Sequence, residues 1–134
     1  MTTLAKLELI AWMLAVVSLW PLQGQSRPLI DHHQHLFSPA TSSRASGIKP
    51  VSAEDLIGFL DETGLRRAVV LSVAYQLGNP NRPPETDEYA KVRAENDWTS
   101  QEVARFRDRL RGFCGVNPLK EYALQETSCP RLPM

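Results

Sequence analysis

Apolar positions fall into separated blocks along the chain, each with its own period. The first, Leu9 to Trp20, reads LIAWMLAVVSLW and is continuous apart from Ser18. The second, Leu29-Ile30-Asp31, opens a short extended segment that runs into His32-His33-Gln34-His35. From Ser38 to Gly47 there is no period, which predicts a mobile polar loop. Leu56, Ile57, Phe59 and Leu60 then form an apolar helix face. Ser52 and Asp55 have the spacing of a capping box and Gly64 stands at C′, so the helix is predicted over 53–63. The run Arg66 to Ala74 (RRAVVLSVA) is rich in β-branched residues and predicts a strand buried on both faces. Beyond the loop Asn79-Pro80-Asn81-Arg82-Pro83-Pro84, Tyr89, Val92, Val103 and Phe106 recur at helical spacing. They mark a second helix within 85–105, which includes Trp98. Arg109 to Asn117 (RLRGFCGVN) predicts a third strand, and Tyr122-Ala123-Leu124 begins a last helix that Pro130 and Pro133 cut off.

Strands alternating with helices imply βαβ crossovers and a parallel sheet, hence an α/β fold. The first apolar block stands outside it. Twelve residues are too few for a spanning helix, which needs about 20. Followed by Pro21 and Gln23-Gly24-Gln25-Ser26, the block reads as the core of a signal peptide at 1–24, with a single domain at 25–134. That implies secretion or a periplasmic location and no stable membrane span; an uncleaved anchor is the alternative. In an oxidising compartment Cys114 and Cys129 could pair, although Cys114, inside Phe113-Cys114-Gly115-Val116, reads better as a small buried hydrophobe.

Charge removes two classes of partner. With 15 Lys+Arg against 15 Asp+Glu among 134 residues, a neutral chain is unsuited to nucleic acid or to an anionic membrane. The alternating Arg105, Arg107, Arg109 and Arg111 read as solvated side chains at a helix end and strand start. No Gly-rich phosphate loop is present, and no residue order fits a Ser/His/Asp triad.

The chemistry is concentrated at one place. All three histidines of the chain lie within His32–His35. In a regular strand Asp31, His33 and His35 share one face, and His32 and Gln34 the other. Two imidazoles at i and i+2 can converge on one divalent metal ion. They stand at the C-terminal end of the first strand of a βα series, where α/β folds place their active sites.

The segment Ile30-Asp31-His32-His33-Gln34-His35-Leu36-Phe37 resembles the D-x-H-x-H opening of the amidohydrolase superfamily, in its amidohydrolase-related (amidohydrolase 2) branch. The resemblance continues through Ser52 to Leu56, Ala68 to Ser72, Glu95-Asn96-Asp97-Trp98, and Arg111-Gly112-Phe113 leading to Val116-Asn117-Pro118. It implies a metal-dependent hydrolase of C–N or C–O bonds, or a decarboxylase, on a (β/α)8 TIM barrel acting on a small-molecule substrate. It also implies a divalent metal, usually zinc, held by His33 and His35. Asp31 could orient an imidazole or serve structure alone. The chain holds three predicted strands where such a barrel has eight in about 250 residues, and no histidine follows His35. The expectation is therefore the N-terminal βαβαβ portion of a barrel from a prematurely ended or frameshifted reading frame. It would be inactive alone, with an open sheet edge inviting self-association.

Overall fold

The computed structural model describes residues 28–44 and 47–127. Segment 1–24, read above as a signal peptide, and Cys129, Pro130 and Pro133 lie outside the described residues. The element order is β1 (Ile30–Gln34), α1 (Pro39–Ser42), α2 (Ala53–Thr63), β2 (Arg67–Leu71), a 3-10 turn at Val73–Gln76, α3 (Glu88–Ala104), β3 (Leu110–Phe113) and α4 (Ala123–Thr127). The strands form one parallel sheet in the order β1-β2-β3, so the chain is α/β.

Local chemistry sets the helix ends. The Ser52 hydroxyl accepts from the Asp55 amide while the Asp55 carboxylate accepts from the Ser52 amide, 2.8 Å away, completing the capping box. Gly64 closes α2 at φ 74°, a left-handed conformation that costs glycine little. Ala53, Leu56 and Leu60 bury one stripe of α2, whereas Phe59, expected on the same face, is 56% exposed. One residue before Leu60 is a rotation of about 100°, which carries Phe59 off the stripe. The segment after Ser38 also departs from expectation. Pro39 at the first helical position and the Ser38 hydroxyl accepting from Thr41 N turn it into α1.

The main core lies between the helices and one face of the sheet. Ala68, Val70 and Leu110 meet Leu36, Ala53, Leu56, Leu60 and Val103 there, with Trp98 and Phe106 packed at its margin. Burial of β2 is consequently one-sided. Ala68 and Val70 are buried, while Val69 and Leu71 are half-buried, so the expectation of a strand covered on both faces is corrected. The register partners of those two residues, Arg111 and Phe113, are exposed. Helices pack against one face, and among the described residues no layer packs against the other. Cys114, expected in the interior, is exposed for a related reason. β3 ends at Phe113, before the cysteine, so no strand alternation carries Cys114 to the core.

Candidate metal centre

β1 is not a regular strand. Asp31 pairs with Ala68 and Gln34 with Val70, three steps on β1 against two on β2, so one residue is bulged out between them. Ala68 and Val70 lie on the same face of β2, and the bulge therefore places Asp31 with Gln34. Their side chains meet at 2.7 Å, and Asp31 also accepts from the His33 amide at 2.9 Å. These two bonds, the His33 amide first, hold the Asp31 carboxyl below its usual range. The expected common face of Asp31, His33 and His35 is thus corrected: Asp31 pins the bulge and bonds to neither imidazole ring.

His33 and His35 do meet. Their Nε2 atoms are 3.1 Å apart, with the rings edge to face at 84°. The His35 Nδ1 lies 2.7 Å from the carbonyl oxygen of Leu71 at the end of β2. A carbonyl only accepts, so Nδ1 carries the proton; in the tautomer with that single N–H, the Nε2 lone pair faces His33. In that tautomer His33 Nε2–H is the donor of the 3.1 Å contact. His32 is exposed and takes no part in this pair.

The donor set fits a divalent first-row metal at two positions. An N···N separation of 3.1 Å is close to the edge of a tetrahedron built on bonds of 2.0–2.1 Å, about 3.3 Å. The bond from His35 Nδ1 to a backbone carbonyl is the arrangement that orients metal-ligating imidazoles. Among the described residues no group of three or more His, Cys, Asp or Glu side chains gathers to hold an ion. The pair lies at the C-terminal end of the sheet, as the sequence order implies. Tyr75, after β2, is exposed, and Gln76 lines a crevice of about 20 Å³ with Phe37, Thr41 and Leu77. That volume is room for about one water molecule.

Two buried polar groups of α3, named within the resemblance but given no role there, bond to the segments leaving β1 and β3. Glu95 in α3 is only 4% exposed and accepts from Ser38 Oγ at 2.5 Å and Thr41 Oγ1 at 2.6 Å. Its neighbour Asn96, also buried, accepts from Gly115 N at 2.9 Å and donates to Gly115 O at 3.1 Å. The signal was present in the sequence. Val92, Glu95, Asn96 and Val103 fall on one helical stripe, and a carboxylate and an amide on a core stripe point to built hydrogen bonds. The Leu71 carbonyl had no such signal, because backbone acceptors are the same at every position.

No protein-family model matches the chain, and no curated protein matches it. Among solved structures it is similar to a probable 2-pyrone-4,6-dicarboxylic acid hydrolase from Acinetobacter baumannii, crystallised with citric acid bound. The identity is 20% and the TM-score 0.40, over 72% of this chain and 32% of that one. The chain therefore spans about a third of the length of the structure it matches.

Proposed function

We propose that this chain belongs to a metal-dependent hydrolase of amidohydrolase type, as the N-terminal βαβαβ portion of its barrel, and that His33 and His35 hold the metal. The observation that carries the reading is the convergence of two Nε2 atoms at 3.1 Å, one ring locked by the Leu71 carbonyl. When bound, the divalent metal (zinc by the choice of imidazole donors) supplies an activated water or a polarised substrate oxygen. In the tautomer set by the Leu71 carbonyl, the His35 lone pair is engaged by His33 Nε2–H. His33 must move its proton from Nε2 to Nδ1 to present its own, a change open to an exposed ring. The substrate is a small molecule, cleaved at a C–N or C–O bond, with decarboxylation as the variant chemistry. Export through the segment 1–24 belongs to the same proposal, and secreted material should begin near Gln25 when its mass is measured. No helix among the described residues is long and apolar enough to cross a membrane.

One observation favours a second reading, an exported α/β fragment that binds metal weakly and turns nothing over. No third ligating side chain joins the two imidazoles among the described residues. Calorimetric zinc titration of the chain and its single variants, with an ester and lactone panel, separates the outcomes. Binding far weaker than at a closed four-ligand site is expected, lost in His33→Ala and His35→Ala and retained in His32→Ala. Turnover with zinc supports the hydrolase, and binding without turnover supports the fragment. Equal loss in His32→Ala, or no binding at all, overturns the metal site.

A further inference from the structure

The Glu95 carboxylate is buried in a helix that packs on the core, where an apolar side chain would avoid the cost of desolvating a charge. All of its described hydrogen-bond donors come from one short segment. Ser38 N lies 3.4 Å from Oε1, Ser38 Oγ 2.5 Å from Oε2 and Thr41 Oγ1 2.6 Å from Oε2. A carboxylate accepts only, so both hydroxyls must point at it. Ser38 Oγ at the same time accepts from Thr41 N, so one oxygen caps α1 and ties it to α3. The three residues leaving His35 are therefore each fixed. Leu36 is fully buried, Phe37 forms an antiparallel bridge with Val51, and Ser38 is held by Glu95. His35 itself reaches the Leu71 carbonyl at 2.7 Å, a contact that depends on where the strand end is held.

We propose that Glu95 is a positioning residue for the imidazole pair, acting through Ser38 and Thr41 on the segment that leaves His35. The proposal rests on the metal reading of His33 and His35. Asn96 provides its internal comparison: equally buried and also triply bonded, it anchors Gly115 after β3 and Glu126 of α4, neither of which carries an imidazole.

The test uses the full chain labelled with nitrogen-15. Long-range proton–nitrogen spectra of the histidine rings report the tautomer of His35, and calorimetry reports zinc affinity. Wild type should show His35 protonated at Nδ1. Glu95→Ala should give a mixed tautomer and lose about tenfold or more in zinc affinity, the usual scale for an outer partner of a metal ligand. Glu95→Gln, which keeps one acceptor oxygen, should recover part of both. Asn96→Ala should lower the unfolding midpoint yet shift the His35 signature and zinc affinity clearly less than Glu95→Ala does. A folded Glu95→Ala with the wild-type tautomer overturns the proposal, as does an equal effect of Asn96→Ala. If Glu95→Ala does not fold, Ser38→Ala and Thr41→Val each remove one donor; no tautomer change in either is then the overturning result. If wild type binds no zinc, the metal reading fails by itself, and the tautomer comparison still decides the role of Glu95.

Discussion

Two glycines show how differently one residue type behaves in this chain. A Cβ built on Gly115 would lie 2.3 Å from the Ser72 carbonyl oxygen, which belongs to the backbone and cannot turn aside. Gly115→Ala should destabilise the fold by on the order of 1–3 kcal/mol through overpacking. Gly58 sits exposed inside α2 with nothing within 4 Å of such a Cβ. Gly58→Ala should stabilise by about 0.5–1 kcal/mol, because alanine loses less backbone freedom in a helix. Urea unfolding of both variants checks the pair, and stabilisation in both would show that the Gly115 contact is not rigid. At this scale the sequence made the imidazole pair legible, since an i, i+2 spacing in an extended segment brings like residues to one side. The bulge that detaches Asp31 was not legible, because it arises from register against β2 and leaves no local trace.

Among the elements, α2 was readable to its ends because both caps are written in side chains, Ser52 with Asp55 and then Gly64. The start of α3 was not, because its N-cap, Asp87, is in a left-handed conformation and makes no side-chain cap bond. Its first turn instead holds the chain beyond β3. Glu88 accepts from the Tyr122 hydroxyl and pairs with Lys120 at 2.9 Å, and Tyr122 stacks on Tyr89 at 4.7 Å. The Tyr122 hydroxyl, opposed by burial and aided by Lys120, holds the Glu88 carboxyl below its ordinary value of 4.5. Burial first, and then Glu88, push the Tyr122 hydroxyl upward. A lowered carboxyl value means that the unfolded chain takes up the proton first on acidification. The stability from this tie is complete above the ordinary glutamate value and is lost as pH falls through the folded one. Asp31 and Asp55 are shifted the same way, so the wild-type slope is shared among them. Glu88→Gln should therefore flatten the fall in urea midpoint between neutral and acid pH without abolishing it. An unchanged slope in that variant would remove Glu88 from the account.

For the whole molecule, strand–helix alternation was enough to predict a parallel sheet, but not how much of it is covered. Which face a layer packs against depends on chain contacts far apart in sequence, and the apolar run of β2 looks the same with one face buried or two. The outcome has a physical consequence. β1 and β3 are both edge strands in the β1-β2-β3 order, and among the described residues neither has a partner on its outer side. Opposite the helices, Ile30 is 38% and Phe113 58% exposed, beside half-buried Val69 and Leu71. Unpaired strand edges next to an apolar face favour association of copies. Sedimentation velocity over a range of concentrations should show a rising mass average. Phe113→Lys should shift the distribution toward monomer by placing a charge on that face. Phe59→Lys is the matched comparison, since Phe59 is 56% exposed but projects from α2 on the helical side of the sheet. It should leave the distribution unchanged. A wild-type monomer at every concentration, or equal effects of the two substitutions, would show that the open sheet face does not drive association.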